Sequence, residues 1–571
     1  MKPEYAILSA GRRRRQSVMI GNDPSIETRR RTHLRHHQGS TVCQPRWGRH
    51  SACQRLFQHP ARGAAFRTIT GLLLSGAIIG AMAQKPDPKD WPAYSGTDNG
   101  QRYSPLKQVT AANAKRLQAK WVYHVDGASG MEQTPVVMNG VMYISQFNRV
   151  DAIDARTGNI IWKYQRPPAS ATAQRGTAVY NDKVYMVTSD SHLVALDARN
   201  GGVRWEVKSE GGYVISGAAP TIVRGKVIVA GNRPNGFIQA FDAETGKYAW
   251  TWSAVPNPGE PGAETWGGAK PQGGPMWMSG SYDPELNLLY FGTGQPNPQW
   301  TGFERPGDNL CTECIVAINP DTGKLVWYFQ NTPHDTHDWD STETLVLVDA
   351  AIKGQTRKLL LQANRNGFYY VLDRTNGEYL LGTPFVSKLD WADGLDSKGQ
   401  PIVIPGHDPS VRGTTTCPST AGATNWPAPT YSPDTKYFYV TVAEGCGVNF
   451  ITSSTNPDAG TGYIEAANAP WQAYVRALDA TTGKKVWEYK PVRSNHYGPG
   501  LLSTAGGIVF TPEQFGQVTV LDAKSGKPLW HFNTGDLITA SPITYSVDNE
   551  QFFAIASGTN VFAFGLQEVN P

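Results

Sequence analysis

Short apolar runs recur along most of this 571-residue chain, each cut by a polar turn. Seven of the turns share one form: an aspartate or asparagine, a few polar residues closed by glycine, and a hydrophobic residue, usually tryptophan, four positions beyond that glycine. The copies run Asp154 to Trp162, Asp197 to Trp205, Asp242 to Trp250, Asn319 to Trp327, Asp373 to Leu381, Asp479 to Trp487 and Asp522 to Trp530. The glycine supplies the positive φ that a tight hairpin requires, so each copy predicts two strands joined by a turn. The first spacings, 43 residues from Trp162 to Trp205 and 45 from Trp205 to Trp250, leave room for four short strands and their turns. A unit of that size cannot bury its own hydrophobic face and is stable only when stacked on copies of itself. Trp121, in Leu117-Gln-Ala-Lys-Trp-Val-Tyr-His124, lacks the glycine turn and reads as an opening strand that closes a ring with the C-terminal segment. The prediction is an all-β fold, an eight-bladed β-propeller with tryptophans docked between neighbouring blades.

Composition supports this pattern: 59 glycines and 40 prolines serve many turns, and 40% hydrophobic residues are ample for a large core. Residues 84–571 are expected to form one propeller domain. Residues 1–83 differ in kind. They carry Lys2 and thirteen arginines against Glu4, Asp23 and Glu27, followed by the apolar run Ile69 to Ala83. That run is too short for a comfortable membrane span, and Ala81-Met82-Ala83 fits a small-x-small cleavage site, so export to the periplasm by a signal peptide is expected. The long basic stretch ahead of it implies either translation from a codon downstream of Met1 or a basic tail. Without the leader the chain has 39 basic and 45 acidic residues, a net charge of −6, which gives no electrostatic case for nucleic-acid binding. Four cysteines remain after cleavage: Cys311, Cys314, Cys417 and Cys446. Structural disulfides are expected of an exported protein, with three connectivities open. The sequence contains no Cys-x-x-Cys-His haem-attachment motif.

Candidate chemistry is densest in Asn331-Thr-Pro-His-Asp-Thr-His-Asp-Trp-Asp340, directly after a repeat tryptophan. Several carboxylates in one place imply a cation or a perturbed pKa, against the plainer reading of a polar loop capping its own turns.

The opening Asp90-Trp-Pro-Ala-Tyr-Ser-Gly96, Gly292-Thr-Gly294, Arg305-Pro-Gly-Asp-Asn309, Thr332-Pro-His-Asp335, Asn364-Arg-Asn-Gly-Phe-Tyr-Tyr-Val-Leu-Asp-Arg374, Cys417-Pro-Ser419 and Thr424-Asn-Trp426 occur in order. Together with the repeats they resemble the quinoprotein alcohol dehydrogenases, which use pyrroloquinoline quinone (PQQ), over residues 90–567. The resemblance implies that Asp338 is the base that takes the hydroxyl proton while hydride passes to the quinone C5. It implies that Glu132, Arg175, Ser216, Trp277, Arg365, Asn425 and Trp426 hold the cofactor. PQQ is a flat tricarboxylate, so the two arginines suit its oxygens and Trp277 offers a stacking face. Cys446 falls where the family often closes a disulfide. Three departures stand out. The adjacent cysteines that many members place before the equivalent of Arg175 are absent, no carboxylate occurs near Gly231 to Gly236 where the family has a metal-binding Glu, and Gln295 replaces its metal-binding Asn. Asp340 resembles the extra ligand of the lanthanide-using branch. The expected metal site is therefore Asp338, Asp340 and Gln295, holding calcium or a lanthanide. What the resemblance implies is a periplasmic dehydrogenase oxidising a small-molecule alcohol and passing electrons to a separate soluble cytochrome c. A sugar, polyol or aldehyde dehydrogenase is the enzymatic alternative, because the insertions Pro256 to Gly274 and Thr452 to Pro470 carry no readable signal; a cofactor-free propeller scaffold is the non-enzymatic one.

Overall fold

The computed structural model describes residues 87–568 except 129, 168–173, 453–460 and 495. The expected leader and its cleavage site lie outside the described residues.

Among the described residues helix is confined to three single turns, Ala114–Arg116, Glu210–Gly212 and Ala263–Trp266, and the regular structure is otherwise sheet, antiparallel except where Tyr103–Ser104 pairs in parallel with Ser503 and Thr504. Eight sheets have four or five strands. A typical one runs Val136–Met138, Val141–Gln146, Arg149–Asp154, Ile160–Gln165, each strand paired with the next. The middle strands are buried on both faces and read as continuous apolar runs, while the outermost alternates, as in Val203–Lys208. The hydrophobic clusters straddle consecutive sheets. Val150 and Ala152 meet Val184 and Leu196, and Tyr185 and Ala195 meet Val227 and Phe241. One further cluster joins Phe510 and Val520 to Phe553 and Ala563, and these to Met142 and Ile144 of the first sheet.

The repeat is the device that couples the sheets. In each turn the Asp side chain accepts backbone N–H groups, as Asp154 Oδ1 does from Arg156 (2.9 Å) and Thr157 (2.8 Å). The glycine then lies under the tryptophan of the preceding sheet. A Cβ on Gly201, at φ +73°, would stand 2.6 Å from the Trp162 ring, and Gly158, Gly246, Gly323, Gly377 and Gly526 lie against Trp121, Trp205, Trp250, Trp327 and Trp487. Each indole N–H reaches a carbonyl of the same turn, for example Trp162 Nε1 to Ala198 O (3.0 Å) and Trp250 Nε1 to Pro320 O (2.9 Å). Leu381, in the copy without tryptophan, shares its place with Thr383 against Gly483.

Trp121 acts as expected. Leu117–His124 pairs antiparallel with Asn560–Leu566, so the last sheet is completed by an N-terminal strand. That sheet has no chain turn between its last two strands. Trp530 accordingly has no glycine to dock on and packs instead against Phe532 and Phe564.

Candidate active site

Residues 332–340 follow the strand Lys324–Gln330 and contain the carboxylates singled out above. Asp335 is structural: its carboxylate accepts the backbone N–H of His337 (3.0 Å) and Trp339 (3.2 Å). His337 stacks on Trp339 with ring centroids 4.3 Å apart, and its Nε2 lies 2.9 Å from His407 O. Burial lowers its pKa and so favours the neutral ring, which is held by its stack on Trp339 and by its contact with His407 O. The side chain of Trp339 is wholly buried, its N–H donating to Ser419 O. Asp338 and Asp340 flank it on either side in sequence, and Arg365 contacts both. Asp338 adopts φ +61°, an unusual conformation for a non-glycine residue and one that clusters at functional sites.

Arg365, in the turn after Gln355–Ala363, is the cation of the site. Its Nη1 lies 3.1 Å from Asp340 Oδ2, its Nη2 3.7 Å from Asp338 Oδ2, and Nη2 also donates to Thr420 O at 2.8 Å. Burial alone would lower its pKa, but Asp338, Asp340 and Glu343 offset this and hold it above its usual value. Burial pushes Asp338 well above the ordinary carboxylate range; Arg365 opposes this, while Asp340 and Asp335 add to it. Asp340 is also raised by burial, but three donors counter it: Arg365, the Gln295 backbone N–H at 2.8 Å and Trp277 Nε1 at 2.9 Å. The close approach of Gln295 explains Gly292-Thr-Gly294. A Cβ on Gly294 would stand 2.3 Å from Asp340 Oδ1, and one on Gly292 1.8 Å from Ser341 O.

Arg175 lies beside this cluster. It pairs with Glu132 (2.9 Å) and its guanidinium sits 5.0 Å from the Trp277 ring centroid and 4.9 Å from that of Trp426. Both indoles pack against a small cluster of Tyr94, Ala219, Met278 and Ala428. The structure thus groups Glu132, Arg175, Trp277, Trp426, Arg365, Asp338 and Asp340. It does not bring Ser216 and Asn425 in as free polar groups. Ser216 Oγ donates to Ala230 O (3.0 Å), and Asn425 spends its amide on Ala421 O and the Trp426 N–H, so it positions Trp426.

PQQ fits these residues. Arg175 Nε and Arg365 Nε are buried donors without a hydrogen-bond partner, as a site for a flat polyanion requires. The expected metal set does not fit in the same way. Asp340 is already occupied by three donors, Gln295 reaches it through its backbone and not its side chain, and Gln295 Oε1 is the one oxygen of that residue left unpartnered. Among the described residues no three His, Cys, Asp or Glu side chains converge on a point, whereas a hard cation such as calcium wants six to eight oxygens.

Two buried carboxyls escaped the sequence reading. Glu313 and Glu343 are both pushed well above the usual range by burial, with Asp340 adding and Arg365 opposing in each case. Glu313 lies between Cys311 and Cys314, and an acidic residue entering a buried strand was the available signal. Those cysteines correct an expectation: only Cys417 and Cys446 are bonded, while Cys311 and Cys314 are free thiols, with Cys314 Sγ donating to Thr312 O at 3.2 Å.

A propeller with an Arg–Asp–Asp cluster beside two indoles that flank Arg175 defines a site for a planar anionic redox cofactor. The family model described as glucose/ethanol/alcohol dehydrogenase, beta-propeller domain, for PQQ proteins matches residues 91–402. A second model, described as outer membrane protein assembly factor BamB, matches 472–566, within the repeats and outside the cluster. The chain is 36% identical to quinoprotein alcohol dehydrogenase PedH of Pseudomonas putida over 86% of this chain and 90% of that protein. It is 37% identical to the quinohemoprotein alcohol dehydrogenase of Comamonas testosteroni over 82% and 72%. Among solved structures, a europium-containing methanol dehydrogenase superposes with a TM-score of 0.76 at 27% identity, covering 84% of this chain and 98% of that one. The protein belongs to the PQQ-dependent quinoprotein alcohol dehydrogenase family.

Proposed function

We propose that this protein is a periplasmic, eight-bladed quinoprotein that oxidises an alcohol with Asp338 as the proton acceptor. The observation that carries the reading is the position of Asp338: a part-buried carboxylate, its side chain 23% exposed, on a left-handed backbone at φ +61°, with Arg365 as its near cation at 3.7 Å. A base must be within reach of the hydroxyl it deprotonates and must be ionised when it acts. Arg365 supports the charged form and is itself fixed by Thr420 O and Asp340. Bound PQQ supplies the two-electron acceptor. Trp277 and Trp426 would offer it ring faces, and Arg175 and Arg365 would pair with its carboxylates. Trp277 is also locked in rotation by its N–H bond to Asp340, so the stacking face and the charged cluster form one rigid unit.

The leader at 1–83, signal cleavage near Ala83 and a separate cytochrome c as electron acceptor complete the proposal; the sequence itself carries no haem-attachment motif. Family likeness to a europium-containing methanol dehydrogenase favours a single cation, calcium or a lanthanide, but Asp338, Asp340 and Gln295 as placed fall short of its needs, and no step is assigned to it. The test is reconstitution of the purified protein with PQQ and either metal, following quinone absorbance and dye reduction with primary alcohols. Turnover that Asp338→Asn abolishes with quinone still bound supports the assignment. Full turnover by Asp338→Asn, or failure of the wild type to bind quinone, refutes it.

A further inference from the structure

The insertion around residues 452–470, unreadable in sequence, carries a residue that faces the site. Tyr463 lies in Thr461–Glu465, which pairs with Gly447–Ile451 in a small sheet outside the eight large ones. Its direct partner across the pair is Asn449. Opposed residues in a sheet share a face, and Asn449 faces inward: its Oδ1 accepts the Thr420 hydroxyl at 2.8 Å, and the Thr420 carbonyl in turn accepts Arg365 Nη2 at 2.8 Å. Tyr463 therefore stands on the Arg365 side of the hairpin. From the other direction, Gln295 donates its backbone N–H to Asp340 and its side chain to Gln299 Oε1 (3.3 Å), and the next residue is Trp300.

The two rings meet. Trp300 and Tyr463 stack with centroids 6.2 Å apart and planes 26° from parallel, and Tyr463 remains 43% exposed. Two segments, one tied to Arg365 through Asn449 and Thr420 and the other to Asp340 through Gln295, thus each contribute one ring to this aromatic pair. The Tyr497 phenol is raised by burial, with Arg365 opposing and Tyr463 and Glu132 adding to the shift. The wall continues through His496, whose ring centroid is 4.1 Å from that of Tyr497.

We propose that Trp300 and Tyr463 form the outer wall of the substrate entrance and select alcohols that carry a flat apolar group on a short tether. This rests on the alcohol dehydrogenase reading of the site. A ring entering past them gains a stacking partner, whereas a short alkyl alcohol reaches Asp338 without touching either.

The test compares 3-phenylpropan-1-ol with propan-1-ol on the PQQ-loaded enzyme. Trp300→Ala and Tyr463→Ala are each expected to lower kcat/KM for the phenyl alcohol about 3- to 10-fold, the range of a lost aromatic contact, through KM. The same variants should leave propan-1-ol unchanged, and Tyr463→Phe should behave as wild type. Equal losses for both alcohols would mean that the rings only clasp two loops, and an unchanged ratio in both alanine variants would mean that they touch no substrate; either overturns the proposal. Calorimetric binding of 3-phenylpropanamide, which has the ring and no oxidisable hydroxyl, separates this from the underlying reading. If the loaded enzyme oxidises no alcohol, the dehydrogenase assignment fails, but weaker binding of the amide by Trp300→Ala still supports the wall. Equal binding by the variant and the wild type overturns it.

Discussion

Gly201 and Gly225 have the same backbone conformation, φ +73°, but different surroundings. A Cβ on Gly225 meets nothing within 4 Å, whereas one on Gly201 would stand 2.6 Å from Trp162 Cε3, well inside van der Waals contact. Substituting alanine at both isolates the docking term of the repeat. Gly225→Ala forces a Cβ into the left-handed region at a cost of about 1–2 kcal/mol. Gly201→Ala costs that and in addition displaces a ring packed among Val184, Val194 and Leu196, overpacking worth roughly 1–3 kcal/mol more. The Trp162 N–H bond to Ala198 O would be strained by the same movement. Urea unfolding of the two variants, followed by intrinsic fluorescence, should place Gly201→Ala below Gly225→Ala by about 1–3 kcal/mol with equal slopes. Quinone affinity gives a second reading, because Arg175 lies in the connection between the sheets that Trp162 and Gly201 join. Equal losses of stability in the two variants would refute the claim that the glycine is required by the tryptophan and not only by the turn.

Other outcomes follow from the site. The acid limb of the activity profile should lie well above the usual carboxylate range, with rate lost as pH falls through the raised Asp338 value; Asp338→Asn should remove turnover while retaining quinone absorbance. Glu313 and Glu343 carry protons in the folded state at pH values where the unfolded chain has lost them, so stability should decline as pH rises above about 4.5, the ordinary carboxylate value, and Glu313→Gln should flatten that slope in thermal unfolding. Asp340→Ala should leave metal affinity unchanged in a direct titration, because its oxygens already serve Gln295, Trp277 and Arg365, yet weaken quinone binding by freeing the indole. Replacing Cys417 and Cys446 by serine opens a 29-residue loop and should cost ~3–4 kcal/mol in reducing-agent-free unfolding.

The architecture was legible in the sequence because its chemistry is local: an Asp caps the turn it belongs to, the glycine permits it, and the tryptophan follows four residues on. The site is legible only in part. Asp338 and Arg365 stand out by residue type, and the family likeness places Trp277. Sequence does not say which oxygens are already taken, and so Asp340 and Gln295 read as metal ligands when they bond to each other, one through its backbone. Ser216 and Asn425 read as cofactor contacts for the same reason, although their polar atoms are spent on carbonyls and an amide nearby. Glu313 has no signal in sequence beyond its place between Cys311 and Cys314, because its significance lies in its burial, which depends on the packing around it. Tyr463 gave no signal, since its meaning depends on Asn449 across a hairpin and on Trp300 far away in the chain.

The pairing of Leu117–His124 with Asn560–Leu566 makes an N-terminal strand wait for the last strand of the domain. Seven sheets have all four main strands within one continuous stretch of chain and can mature in the order in which the polypeptide emerges. The short strand Tyr103–Ser104 is one tie between the two ends, pairing in parallel with Ser503 and Thr504; the remaining sheet is the other, and it is sealed only when both ends are present. Loss of the final strand would leave that sheet with Phe562 and Phe564 removed and an open edge at residues 117–124, a template for pairing with another chain.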